Sequence, residues 1–174
     1  MSQVYVVDAG VLFSTWAMSV KDAQLTTTTN ILSEIRNRPS QGRAEILMLL
    51  GRMTSMDPAD DYLVRVEAAA KRSGDNSVIS KNDTELVALA LMLDNFGGKN
   101  VILVSTDMAV LNTASHLGLN ILGPSGKFGH KITWAMRCPA CHYKSRTLKR
   151  ETECPVCGTT LRRTPMKKRK IREY

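Results

Sequence analysis

Apolar residues in the first 122 positions alternate between short runs rich in β-branched residues and longer runs with helical spacing. The runs at 4–7 and 101–104 are almost unbroken, which is typical of strands buried on both faces of a parallel sheet. A short strand is also predicted near 54–56, and an edge strand at 119–122. Because helical segments separate these strands, the pattern predicts an α/β fold around a mostly parallel sheet.

Helix start and stop signals lie between the strands. Asp57 and Pro58 resemble an N-cap with proline at the first helical position, and Gly74 suits the end of that helix. Ser80 and Asp83 have the spacing of a capping box. Helices are therefore predicted over about 28–37, 42–53, 58–73, 81–96 and 107–117.

The four cysteines form two matched pairs, Cys138-Pro-Ala-Cys141 and Cys154-Pro-Val-Cys157. Two residues inside each pair allow a tight turn to direct both thiolates at one ion, and the segment between the pairs suits a short hairpin. The pattern predicts a zinc ribbon with one structural Zn²⁺, although His142 is a competing ligand. Two disulfides are the alternative. The absence of a signal peptide and of cysteine before residue 137 favours zinc.

Basic residues are concentrated after residue 136. Residues 1–136 hold 12 Lys/Arg and 13 Asp/Glu, whereas residues 137–174 hold 12 Lys/Arg and 3 Asp/Glu, a net charge of +9. A zinc ion with four thiolates would leave this end at about +7, which implies an anionic partner such as RNA or DNA. We expect residues 162–174 to form a disordered arm that holds RNA by its phosphates. A solubilising tail is the alternative.

Four acidic residues are expected at one edge of the sheet. Asp8 and Asp107 follow predicted strands and Asp83 starts a helix, so all three fall where open α/β folds bind ligands. Glu34 lies at the margin of an apolar helix face. The structural alternative is helix capping for the three aspartates and solvation for Glu34.

A cluster of four acids is self-repelling, and it is stable when it binds divalent cations. No histidine or cysteine belongs to the set, and all-oxygen ligation favours Mg²⁺ or Mn²⁺ over Zn²⁺. The set therefore predicts metal-assisted phosphodiester hydrolysis.

The residues around these acids resemble the successive motifs of PIN-domain nucleases. The matching segments are Val-Val-Asp8, Ser-Glu34-Ile, Ser80-Lys-Asn-Asp83, and Ser-Thr-Asp107 followed by Ala109 and Asn112. With a zinc ribbon and a basic C-terminus, the chain resembles the Nob family, endonucleases that mature the 3′ end of small-subunit ribosomal RNA. The run from Val66 to Asp75 also resembles that family, and the short chain resembles its compact archaeal form.

The resemblance implies a PIN-like three-layer sandwich and a metal-dependent endoribonuclease that cleaves the 16S rRNA precursor in a pre-ribosomal particle. Asp8 and Asp107 would be direct ligands of one or two Mg²⁺ or Mn²⁺ ions, and Asp83 a direct or water-mediated ligand. Glu34 would be a ligand or would orient bound water. Glu85 or a substrate phosphate could supply the further ligands that a second metal ion would need.

Together the patterns divide the chain into a PIN-like nuclease domain (1–122), a linker (123–136), the zinc ribbon (137–161) and a basic tail (162–174). Trp134 is expected to pack between linker and ribbon, or to stack on a base. No apolar run reaches the ~18 residues of a membrane span, so we expect a soluble, cytoplasmic protein without a membrane partner. Two other functions stay open, a toxin-like or mRNA-decay PIN ribonuclease and a non-catalytic RNA-binding adaptor in ribosome assembly.

Overall fold

A five-stranded parallel sheet lies at the centre of the first 122 residues. The computed structural model describes residues 3–20, 23–36, 38–97, 100–123, 128–145 and 153–171. In chain order the strands are β1 (Gln3–Val7), β2 (Gln24–Thr27), β3 (Met53–Ser55), β4 (Asn100–Val104) and β5 (Asn120–Leu122). They lie side by side in the order β3-β2-β1-β4-β5, so β1 and β4 are adjacent at the centre.

Helices cover both faces of this sheet. They are α1 (Ala9–Phe13), α2 (Trp16–Ser19), α3 (Thr29–Glu34), α4 (Arg38–Leu49), α5 (Asp60–Ser73), α6 (Lys81–Asn95) and α7 (Met108–Leu117). One buried apolar cluster joins the sheet to α5, α6 and α7, and a second joins it to α1, α2 and α4. This arrangement confirms the predicted α/β sandwich with a mostly parallel sheet.

The apolar runs at 4–7 and 101–104 predicted the two central strands, whereas β2 was missed. The β2 strand is rich in threonine, and its Thr26 and Thr27 are buried although they are polar. The Thr27 hydroxyl donates to the Val7 carbonyl at 2.8 Å, which satisfies it inside the sheet. The Thr26 hydroxyl pairs with the Thr54 hydroxyl of β3 at 3.3 Å, so a polar sequence forms a buried strand because neighbouring strands satisfy both hydroxyls.

The predicted start of α5 at Asp57 and Pro58 is wrong, because the helix begins at Asp60 with Ala59 as its N-cap. Asp57 has another partner. Its carboxylate accepts from the Thr29 backbone N–H and from the Thr29 hydroxyl, both at 3.0 Å, at the start of α3. The capping box of Ser80 and Asp83 is confirmed at the start of α6.

A second, three-stranded sheet follows residue 129. It contains β6 (His130–Arg137), β7 (Lys144–Ser145) and β8 (Arg162–Lys170), in the order β7-β6-β8 with antiparallel pairing. Part of the predicted linker is thus β6, and residues 162–170 of the predicted disordered arm are β8. Pairing from His130–Lys170 to Arg137–Arg162 provides main-chain hydrogen bonds, which order a segment with little apolar content. Arg172 of the predicted arm and residues 124–127 of the predicted linker lie outside the described residues.

No helix in the described ranges has the length and apolar content needed to cross a membrane.

Candidate active site and metal centres

Asp8 and Asp107 follow neighbouring strands, β1 and β4, at the same edge of the sheet. Asp8 is buried and caps α1, with its Oδ1 accepting from the Val11 N–H at 2.7 Å. Its Oδ2 accepts from the Ser105 hydroxyl and from the Thr106 N–H, the latter at 2.9 Å. Three donors therefore fix the orientation of this carboxylate.

Ser105 connects the two aspartates. Its Oγ donates to Asp8 and accepts from the Asp107 N–H at 3.0 Å. Asp107 caps α7, with Oδ1 accepting from the Ala109 N–H at 2.6 Å. The capping alternative is thus true of both residues, and it is compatible with a second role because a carboxylate has further lone pairs.

Asp83 and Glu34 lie at the facing ends of α6 and α3. Asp83 completes the capping box, accepting from the Ser80 hydroxyl at 2.6 Å. Glu34 is the last residue of α3 and accepts from the side-chain amide of Asn82 at 2.6 Å. Asn82 precedes Asp83, so this bond holds the two acids on adjoining segments.

A second amide–carboxylate pair was not predicted from the sequence. The Asn30 side chain in α3 donates to Glu85 in α6 at 2.5 Å, and Glu85 is a buried carboxylate. Lys81 lies 3.9 Å from its other oxygen. The signal available in the sequence was spacing, because Asn30 precedes Glu34 by four residues and Asn82 precedes Glu85 by three, so each amide shares a helix face with an acid.

The acidic set offers oxygen ligands without forming a tight cluster. Within the described ranges, the four cysteines are the only group of three or more His, Cys, Asp or Glu whose ligand atoms all lie within 4.8 Å of one another. The four predicted acids are instead connected in two pairs, through Ser105 and through Asn82. Three of them keep an oxygen that accepts no hydrogen bond from the described residues, namely Oδ2 of Asp107, Oδ1 of Asp83 and Oε2 of Glu34. This donor set fits a hard divalent cation.

The four cysteine sulfurs have the spacing of a zinc site. Cys138 Sγ lies 3.4 Å from Cys157 Sγ, and Cys141 Sγ lies 3.5 Å from Cys154 Sγ. A tetrahedron with Zn–S bonds of ~2.3 Å has sulfur–sulfur edges of about 3.8 Å, so the cysteines fit Zn²⁺ with small adjustments. Contacts with the side chain and backbone of Thr159 lower the pKa of Cys157 to about 6, which favours the thiolate that a metal binds.

The two cysteine turns have matching main-chain bonds. Cys138 N–H donates to Tyr143 and Cys154 N–H donates to Thr159, both at 2.9 Å to the carbonyl oxygen. His142 and Gly158 occupy equivalent left-handed positions, with φ of 62° and 72°. The His142 ring accepts from the Arg137 guanidinium at 3.3 Å and does not belong to the cysteine group. The alternative in which His142 is a ligand is therefore not supported.

Known proteins match this chain over the nuclease-like part and over most of its full length. Residues 5–93, just over half of the chain, match the family described as PIN domain of ribonuclease. Endoribonuclease Nob1 of Methanocaldococcus jannaschii is 28% identical over 96% of this chain and 80% of its own length. Ribonuclease VapC1 of Thermoplasma acidophilum is 27% identical over 94% and 79%. Endoribonuclease Nob1 of Pyrococcus abyssi is 28% identical over 82% and 85%.

Proposed function

The chain belongs to the PIN-domain family of ribonucleases, and from this premise we propose that it is an endoribonuclease of ribosomal RNA processing. The observation that carries the proposal is the pair of aspartates, Asp8 and Asp107, at the ends of adjacent central strands and linked by one buried hydroxyl. Several relatives named Endoribonuclease Nob1 match over most of this chain, 96% of it in one case and 90% in another.

More specifically, we propose that it cleaves the small-subunit rRNA precursor at its 3′ end. This proposal is supported by a yeast relative named 20S-pre-rRNA D-site endonuclease, which is 32% identical over 68 residues, only 15% of that protein. It is also supported by the cysteine group and the basic β8 strand, which suit RNA binding beside a nuclease domain.

We assign the metal-dependent chemistry to the acidic set. Asp8 and Asp107 would hold Mg²⁺ or Mn²⁺ directly, Asp83 directly or through water, and Glu34 would bind the ion or orient water. Bound metal supplies Lewis acidity, which activates water and neutralises charge on the scissile phosphate. Ser105 connects the Asp8 carboxylate to the Asp107 backbone, and Asn82, the residue before Asp83, donates to Glu34.

Cleavage of a transcript that spans the 3′ end of small-subunit rRNA tests this function. With Mg²⁺ or Mn²⁺ present, single-turnover cutting should map to that end. Asp8→Asn and Asp107→Asn should lower the rate at least ~100-fold, since residues that merely support metal ligands are worth about 10- to 100-fold. Affinity for RNA should stay within a few-fold.

Asp94→Asn is the matched control, because Asp94 is an exposed acid in the last turn of α6, away from the strand ends. Wild-type cutting by both site variants would remove the metal assignment. Cuts elsewhere, with no preference for the rRNA end, would favour a toxin-like or mRNA-decay PIN ribonuclease; two relatives carry the general name ribonuclease. RNA binding without any metal-dependent cutting would favour the adaptor.

A further inference from the structure

Asp75 is a buried carboxylate outside the candidate active site. It follows α5 and is 1% exposed. One oxygen accepts from the Ser73 hydroxyl and from the Asn112 side chain, both at 2.6 Å. The other accepts from the Arg163 guanidinium at 2.5 Å. A buried charge needs several donors to be tolerated, and Asp75 accepts from three, although Arg163 Nε is buried without a partner among the described residues.

Asn112 connects Asp75 to the second sheet. Its side-chain amide donates to the Ile132 carbonyl at 2.8 Å and accepts from the Ile132 N–H at 2.7 Å. The amide thus pairs with β6 as a neighbouring strand would. Among the described residues, β7 pairs with Met136 and Arg137, and Asn112 satisfies the main chain of β6 at Ile132.

Arg163, in β8, completes the connection between the second sheet and Asp75. It also donates to the Gly74 carbonyl at 3.0 Å, and its guanidinium lies 4.1 Å from the centre of the Trp134 ring. Arg163 is partly buried by these contacts, whereas Lys167 and Lys168 in the same strand are exposed. One cation of β8 is therefore committed to contacts within the chain, and its partner Trp134 contacts a residue of the segment predicted as a basic arm.

The same segments carry the candidate active site. Asn112 follows Asp107 by five residues, about 7.5 Å along α7. Asp75 lies in the connection from α5 to the Ser80–Asp83 capping box. A displacement of the second sheet would therefore act on the two elements that hold these acids.

We propose that Asp75, Asn112 and Arg163 form a docking cluster, which holds the basic β6–β8 sheet in a fixed position relative to the candidate active site. The cluster positions RNA bound to the exposed cations and does not itself contact the reacting phosphate. This role in positioning rests on the proposed ribonuclease function. The docking itself does not, and it is measured separately.

Docking is tested with Arg163→Met and, as matched control, Lys168→Met, which removes one charge from the same strand without touching the cluster. Amide exchange of Ile132 and Trp134 emission in a Trp16→Phe background report on the contact. Arg163→Met and the second variant Asn112→Ala should speed Ile132 exchange and shift Trp134 emission to the red, while Lys168→Met changes neither. Unchanged Ile132 exchange in both cluster variants, with β4 still protected, would overturn the docking.

Positioning is tested by comparing a long rRNA transcript with a short oligonucleotide that spans only the cut. Arg163→Met should raise KM for the transcript about tenfold, because fewer molecules would hold the β6–β8 sheet in the position that binds RNA productively. It should leave kcat on the short oligonucleotide within about twofold. Lys168→Met should raise KM less. Equal KM changes in the two variants would overturn positioning. If the wild-type protein cuts neither RNA, the proposed function is wrong. Faster Ile132 exchange in Arg163→Met would still support the docking.

Discussion

Ser105 is one buried hydroxyl on which the geometry of two candidate metal ligands depends. Its Oγ bonds both Asp8 and the backbone of Asp107, so its loss removes one of the three donors to Asp8 and the acceptor of the Asp107 N–H together. Glycine suits the position close by, since a Cβ on Gly10 would lie 2.3 Å from the Thr106 hydroxyl oxygen, which would have to rotate away, and 3.4 Å from Asp8 Oδ1. The backbone at Gly10 therefore lies close to the Asp8 carboxylate.

Ser105→Ala should lower the metal-dependent cleavage rate about 10- to 100-fold, as expected for a residue that orients metal ligands. The effect should decrease at higher Mn²⁺ concentration, because weaker metal binding is part of the cause. Ser115→Ala is the control, since that buried hydroxyl donates to the Asn112 carbonyl within its own helix. Rates for Ser105→Ala equal to those of the control would show that the hydroxyl does not support the site.

His116 couples the contact between α7 and β6 to pH. Its Nε2 lies 3.1 Å from the Ile132 carbonyl oxygen. Burial lowers the pKa of His116, and Lys131 and Arg72 lower it further, although the Ile132 carbonyl and Asp75 oppose them. As pH falls below ~6.5 the unfolded chain binds the proton more readily than the folded one, so stability is lost with acidification.

Thermal unfolding at pH 7.5 and pH 5.5 tests whether stability falls as the pH is lowered. The wild type should lose more stability on acidification than His116→Gln, which keeps an N–H donor but does not titrate. The same loss in both proteins would contradict a role for His116.

At the scale of elements, the zinc ribbon should depend on its metal and the first sheet should not. Removal of Zn²⁺ leaves four thiols close together with only a small apolar cluster around them. We expect chelation to abolish amide protection around the cysteines and in β6 and β8, while β1 and β4 stay protected. Elemental analysis should give one zinc per chain. Loss of protection in β4 on chelation would contradict the proposed division into a nuclease domain and a ribbon.

The β8 strand changes how its basic residues must be tested. Truncation after Leu161 would remove the partner of β6 as well as the charge, so paired substitutions are preferable. Lys167 and Arg169 are exposed and share one strand face, because side chains alternate. If both contact phosphates, Lys167→Gln with Arg169→Gln should flatten the slope of log affinity against log salt by about 1.4.

Arg65→Gln with Lys71→Gln is the control, since it removes two exposed cations from α5. Equal slopes for the two double variants would show that β8 holds no RNA through this face.

Across the whole molecule, the sequence predicted the strands with continuous apolar runs and the site with a distinctive spacing of metal-binding residues. Continuous apolar runs predicted β1 and β4, and matched pairs of cysteines predicted the sulfur cluster. Amides give at most a weak spacing signal and no distinctive motif, so the partners of Glu34 and Asp75 were missed although they connect distant segments. Charge misled the prediction for β8, because a strand can be ordered by main-chain pairing alone.

The strands β6 and β8 flank all four cysteines in the chain, so the cysteines lie in the loop that this pairing must close. Zinc held by the four cysteines would shorten that loop, which would lower the entropic cost of joining Arg137 to Arg162. Pairing of β6 with β8 should therefore be faster in the zinc-loaded chain than in the chain without metal. Assembly of the basic surface would then depend on the supply of zinc as well as on the collapse of the apolar core.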